Sequence, residues 1–167
     1  MVERPREIIL REIQLNPGIH MRELQRRLKM PTGTLTYNLQ VLEKEGKIYS
    51  RVEGGYRRYY ALTLKRESER KIIAVLRLRT PRRILAYLLV NPGASQKEIS
   101  EYLNLSPGTL SYHMKKLVSM NIVEERKEGQ IKKYWIKDEY TVRNLLINYR
   151  ETFLDKIADS LINMLLE

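Results

Sequence analysis

The sequence of 167 residues contains no cysteine, a single Trp, a single Phe and two His. Without cysteine there is no disulfide scaffold, thiolate zinc site, cysteine nucleophile or thiol redox switch, and the composition suits a reducing, intracellular compartment. Long apolar runs are also missing. The longest, Ile84 to Val90, is far too short to cross a bilayer, and the opening Met-Val-Glu-Arg-Pro does not read as a signal peptide. Enzyme chemistry finds little to work with. The two His, His20 and His113, are 93 positions apart, no Gly-rich phosphate loop is present, and the acids lie scattered among bases with no nucleophile–base grouping. The expectation is a soluble, cytoplasmic protein that is not an enzyme and needs no metal or cofactor.

What is present is positive charge and an internal repeat. Lys and Arg number 31 against 20 Asp and Glu, a net charge of +11, which favours a polyanionic partner. Shifting the sequence by 75 positions brings Asn16-Pro17-Gly18 onto Asn91-Pro92-Gly93 and Gly33-Thr34-Leu35-Thr36-Tyr37 onto Gly108-Thr109-Leu110-Ser111-Tyr112. The same shift places Leu42 on Leu117, Arg51 on Arg126, Gly54 on Gly129, Arg57-Arg58 on Lys132-Lys133, and Tyr59-Tyr60 on Tyr134-Trp135. So long a period, without gaps, indicates two copies of a small domain rather than a solenoid.

Each copy predicts the same elements. A first helix, about Arg6 to Leu15 and Arg82 to Val90, is broken by Asn-Pro-Gly, and Pro81 suits the first turn of the second-copy helix. A short second helix runs from His20 to Lys29 and from Ser95 to Leu103, where Ser95-Gln96-Lys97-Glu98 is a capping box and His20 a weaker cap. The third starts near Thr32 in one copy and at Ser106-Pro107 in the other. Its apolar stripe is Leu35, Leu39, Leu42 and Leu110, Met114, Leu117. Strands follow at Lys47 to Glu53 and Tyr56 to Leu62, and at Ile122 to Glu128 and Ile131 to Lys137, turned by Gly54-Gly55 and Gly129-Gln130. Tyr59, Tyr60, Tyr134 and Trp135 alternate in these strands and are expected in the packing.

Three helices closed by a two-stranded hairpin make a winged helix-turn-helix. The fold class is α+β, mostly helical. It comprises a first winged-helix domain at 1–64, a helical connector at 65–79, a second winged-helix domain at 80–138, and a C-terminal amphipathic helix at 139–167. The string Pro-Gly-Thr-Leu-Ser-Tyr-His-Met-Lys-Lys-Leu at 107–117, with a weaker twin at 31–42, resembles the third helix of winged-helix transcription regulators. The whole plan, over roughly residues 5 to 137, is similar to archaeal tandem winged-helix regulators, including the euryarchaeal archaellum-regulator type. That resemblance implies either blocking of promoters or recruitment of basal transcription factor B.

A third helix fits the major groove of double-stranded DNA, where hydroxyl, amide and cationic side chains reach base edges. The candidate contacts in the first copy are Thr32, Gly33, Thr34, Thr36, Tyr37 and Gln40. In the second they are Pro107, Gly108, Thr109, Ser111, Tyr112, His113, Lys115 and Lys116. Gly33 and Gly108 allow close backbone approach, and hydroxyls and helix N–H groups suit phosphate. Arg57, Arg58, Lys132 and Lys133, beside the glycine turns, are expected on phosphate or minor groove, and Arg26, Arg27 and Lys29 near the crossing of the backbone. For Tyr37 and Tyr112 the alternative is cover of an apolar edge, and for His113 a local hydrogen bond or helix packing.

Charge divides as +7 over residues 1–75, +6 over 76–138 and −2 over 139–167, so the excess lies in the two heads. In the tail, Val142, Leu145, Leu146, Tyr149, Phe153, Ile157, Leu161 and Leu165 recur at helical spacing. This stripe either packs back on the chain's own domains or pairs two subunits as a homodimer; the dimer is the favoured expectation. The function expected is a sequence-specific, nucleoid-associated DNA-binding transcription regulator. The alternative is a tandem winged-helix protein-interaction scaffold like the subunits of chromosome-condensation complexes.

Overall fold

The computed structural model describes residues 3–62 and 67–167. The chain divides into two compact units, Met1–Ala74 and Val75–Glu167. In the first, α1 (Pro5–Leu15), β1 (Ile19–His20), α2 (Met21–Leu28) and α3 (Thr32–Lys44) precede a hairpin of β2 (Ile48–Glu53) and β3 (Tyr56–Ala61). Helix α4 (Glu67–Leu76) carries the chain past the boundary. The second unit repeats the order with α5 (Arg79–Val90), β4 (Ala94–Ser95), α6 (Gln96–Leu103), α7 (Pro107–Ser119), β5 (Val123–Glu128) and β6 (Ile131–Ile136). It ends in α8 (Glu139–Asn148), α9 (Arg150–Phe153) and α10 (Lys156–Leu166). The fold is α+β and mostly helical, as expected.

The repeat is a repeat of cores. Ile9, Ile13, Ile19, Leu24, Leu35, Leu39, Leu42, Ile48, Tyr59 and Ala61 form the buried cluster of the first unit. Their counterparts 75 positions on, Ile84, Leu88, Ala94, Ile99, Leu110, Met114, Leu117, Val123, Tyr134 and Ile136, are all buried too. The volume lost from Ile19 to Ala94 is regained from Ala61 to Ile136, as close-packed interiors require.

Each hairpin is the larger part of a three-stranded antiparallel sheet, ordered β1-β3-β2 and β4-β6-β5. The edge strands β1 and β4 are two residues long, below the reach of any alternation pattern, and pair with residues some forty positions away. Gly18 and Gly93 lead into them, each donating its N–H to the carbonyl of Tyr59 or Tyr134 at 2.8 Å. In the first hairpin Gly54 and Gly55 both have positive φ, as a type I′ turn requires. In the second only Gly129 does. His20 does cap α2: its Nδ1 accepts the Glu23 N–H at 3.2 Å. The Ser95 capping box forms as read.

The connector departs from one helix over 65–79. Residues 65 and 66 lie outside the described residues, α4 ends at Leu76, and a new helix starts at Arg79. The tail also departs from a single helix. Tyr149 ends α8, Leu154 turns left-handed at φ 51°, and the Asp155 carboxylate caps α10 by accepting the Ala158 N–H at 3.2 Å. Breaking the helix lets both α8 and α10 lie on α5. Val142, Leu145, Leu146, Ala158, Leu161 and Ile162 are thereby buried inside their own unit. Helix α5 is accordingly buried from Ile84 through Leu89, whereas α1 buries only Ile9 and Ile13. A helix apolar on all sides belongs in a core.

Asp155 holds this arrangement together. It accepts from Arg82 Nε at 2.9 Å and from Arg83 Nε at 3.1 Å, and pairs with Arg82 Nη2 at 2.8 Å. Arg82 Nη1 donates in turn to the Leu76 carbonyl at 3.0 Å, and its guanidinium lies 5.1 Å from the Phe153 ring centroid. No helix among the described residues is long and apolar enough to cross a membrane.

Candidate nucleic-acid interface

On α3, burial of Leu35, Asn38, Leu39 and Leu42 fixes which face is left outward. Thr32, Gly33, Tyr37, Gln40 and Lys44 are exposed, and Thr34 and Thr36 half-buried. On α7, Leu110, Met114 and Leu117 are buried. Pro107, Gly108, Thr109, Tyr112, Lys115 and Lys116 are exposed there, and Ser111 and His113 half-buried. Tyr37 is 61% exposed and Tyr112 62%, so most of each side chain faces outward. A Cβ built on Gly33 or Gly108 would meet nothing within 4 Å, so the approach to each helix start is open.

The helix starts differ in chemistry. Ser106 caps α7, accepting the Thr109 N–H at 3.2 Å and bonding the Thr109 hydroxyl at 2.8 Å. The α3 N-cap is Pro31, which offers no side-chain acceptor, and the Thr32 hydroxyl accepts from Gln25 Nε2 at 2.7 Å. Asn38 is turned inward, donating to the Thr34 carbonyl at 2.8 Å and accepting from Arg6 Nε at 3.3 Å. Its counterpart His113 sits edge-on to Tyr112, centroids 5.2 Å apart. Partial burial, reinforced by the Lys116 charge, pushes the His113 imidazole below its ordinary range. Both causes disfavour the charged imidazolium.

The wings divide their cations unequally. Arg57 is exposed and donates to Ser50 Oγ at 2.9 Å. Arg58 departs from the expected wing contact. It is 7% exposed, its Nη1 donates to the Gly18 carbonyl at 2.9 Å, and its guanidinium lies 5.9 Å from the Tyr56 ring centroid. Alternation along β3 sends neighbouring residues to opposite faces, so Arg57 and Arg58 cannot serve the same surface. In the second wing Lys133 pairs with Glu128 at 2.8 Å, and Lys132 lies 3.8 Å from Glu125. Sequence reading missed Lys127, which is exposed and stands directly opposite Lys132 in the β5–β6 register. Like charges directly opposite repel, and a polyanion relieves them. The signal was available, since Lys127 and Lys132 are equidistant from the Gly129-Gln130 turn.

The second helix of the first unit was expected to present cations at the backbone crossing. Arg26 and Arg27 are instead drawn to Glu23, at 3.0 Å from Arg26 Nε and 2.9 Å from Arg27 Nε. The two guanidiniums, against the opposing cost of burial, hold the Glu23 carboxyl down at about 2. Arg27 reaches further, to Glu12 at 3.2 Å and Asn16 Oδ1 at 3.0 Å, tying α2 to α1. The equivalent positions in the second unit, Tyr87 and Tyr102, make the same tie with rings 4.8 Å apart. Arg22 and Lys29 remain exposed, without an ion-pair partner among the described residues.

The two units thus present the same surface twice. Each has an exposed third-helix stripe headed by an open glycine, an outward tyrosine one turn on, and a cationic wing tip. Known proteins match at the same places. A family model described as winged helix-turn-helix DNA-binding matches residues 77–124, and one for an N-terminal HTH domain matches residues 3–73. An uncharacterized HTH-type transcriptional regulator of Methanocaldococcus jannaschii is 36% identical over 123 residues, 74% of this chain and 31% of the relative. The chain therefore spans about a third of that relative's length. The protein is a tandem winged helix-turn-helix chain, with one helix-turn-helix domain in each unit, similar to an archaeal HTH-type regulator.

Proposed function

We propose that this protein is a sequence-specific, double-stranded DNA-binding transcription regulator without enzymatic activity, acting in the cytoplasm on the nucleoid. The observation that carries the reading is the outward Tyr37 and Tyr112, at repeat-equivalent sites on third helices whose other faces are spent on the core. Both third helices enter the major groove, and Arg57, Lys127 and Lys132 meet phosphate or minor groove from the wings. Regulation follows either from occupying a promoter or from recruiting basal transcription factor B. Homodimerisation, if it uses the tail, falls to its outward apolar residues, Tyr140, Leu154, Ile157, Met164 and Leu166, because Val142, Leu145, Leu146, Leu161 and Ile162 are buried; the mass in solution by light scattering measures it.

Neutralising six to ten phosphates weakens binding about 10³- to 10⁵-fold between roughly 50 and 200 mM salt. Replacing both Lys127 and Lys132 by Ala is expected to weaken binding on every duplex and to lower the slope of log affinity against log salt by about 1 to 2. An unchanged slope removes the second wing from the interface. Selection from random duplexes that enriches no motif favours the interaction scaffold instead.

A further inference from the structure

Four positions on each third helix, spaced four, three and four residues apart, fall within about 60° of arc and form one stripe. On α3 the stripe is Gly33, Tyr37, Gln40, Lys44, and all four are exposed. On α7 it is Gly108, Tyr112, Lys115, Ser119, likewise exposed. The first two positions are identical, and both tyrosines are exposed to the same degree, 61% and 62%. The third helices therefore present the same frame, and the chemistry differs only further along. At the third position, about 10 Å along the axis from the glycine, one stripe carries an amide and the other an ammonium. The cation of the α3 stripe comes one turn later, at Lys44, where the α7 stripe has Ser119. Neither Gln40 nor Lys115 has a hydrogen-bond or ion-pair partner among the described residues, so each is available to a ligand.

An amide matches the N6 donor and N7 acceptor of adenine together. An ammonium, with donors alone, matches the N7 and O6 acceptors of guanine. Resting on the DNA-binding reading above, we infer that Gln40 and Lys115 are the specificity-determining residues of two unequal half-sites, one read at adenine and the other at guanine at the equivalent step. A single chain then recognises a composite, non-palindromic target, with Lys44 on the phosphate flanking the adenine half-site.

The test is selection from random duplexes by the full chain, wild type beside Gln40→Lys and Lys115→Gln. Both side chains are exposed, so circular dichroism and melting should match the wild type. The wild type is expected to enrich two half-sites differing at one step. Gln40→Lys should convert adenine to guanine in the first half-site, and Lys115→Gln the reverse in the second. Each should shift preference about 5- to 150-fold at that step and leave the other half-site alone. A motif that persists unchanged in Gln40→Lys overturns the inference while leaving DNA recognition standing. So does Lys115→Gln if it weakens all duplexes equally, since that marks Lys115 as a phosphate contact. Salt-dependent binding with no motif in any variant overturns the sequence-specific reading itself.

Discussion

Asp155→Asn is expected to destabilise the second unit far more than its conservative chemistry suggests. Asp155 is 4% exposed, and its carboxylate answers two guanidiniums and one backbone N–H. Asparagine keeps an oxygen for the Ala158 N–H but loses the charge. Arg83, whose side chain is 25% exposed, can turn to water, whereas that of Arg82 is 7% exposed and cannot. One buried guanidinium is left with the Leu76 carbonyl at 3.0 Å and the Arg77 carbonyl at 3.4 Å, and with no carboxylate. Breaking a buried pair from one side costs about 3–5 kcal/mol, and the retained amide dipole puts this case near 3. For a unit of this size that is a fall in melting temperature of about 12–24 °C.

Trp135, the one tryptophan of the chain, lies on β6 and reports this unit alone, so urea unfolding followed by its fluorescence reads the loss. A loss under about 1 kcal/mol would refute the reasoning, because it would mean that water already reaches Arg82. The double replacement Arg82→Met with Asp155→Leu should cost less than Asp155→Asn, since no charge is stranded. The pH dependence has a definite sign. Burial opposes ionisation of Asp155, but the Ala158 N–H and then Arg82 outweigh it and hold the carboxyl below its ordinary value. A depressed carboxyl contributes stability above about pH 4 and loses it as pH falls through the folded value.

Two further outcomes are expected. Gly93→Ala should destabilise the second unit by about 2 kcal/mol or more, because φ is +83° and the new Cβ would come within 2.9 Å of Trp135 Cζ2. Gly55→Ala, at the same φ with open space around it, should cost the first unit only the backbone strain of about 1–2 kcal/mol, and equal losses in urea melts would show that Trp135 gives way. Glu23→Gln should flatten the acid limb of the first unit's stability. The Glu23 contribution, about 0.5–1 kcal/mol for a pair whose first partner, Arg26, is solvent-exposed, is present above pH 4.5 and lost as pH falls toward about 2, so identical pH profiles for variant and wild type would deny the carboxylate its role.

The third helices, the hairpins and the capping box were legible because their signals are local: a 3–4 apolar stripe, glycine at a turn, Ser95 three residues before Glu98. The outward stripe followed by subtraction once Leu35, Leu39 and Leu42 were assigned inward. Arg58 was misplaced because two adjacent cations look alike in a sequence, and only alternation across a paired strand separates them. The edge strands β1 and β4 were invisible because two residues carry no period. The tail was read as one helix because its stripe is continuous in spacing; the break at Leu154 is set by Asp155 finding Arg82 some seventy residues earlier.

The sequence by itself determined two copies of one domain, the face each third helix buries and the surplus charge of each head, since these depend on spacing and composition within one segment. The tertiary structure decided which of those charges are free. It folded Arg27 onto Glu12, Arg58 onto Gly18 and the tail onto α5. Such pairings answer to burial and reach across the chain, which no local pattern records.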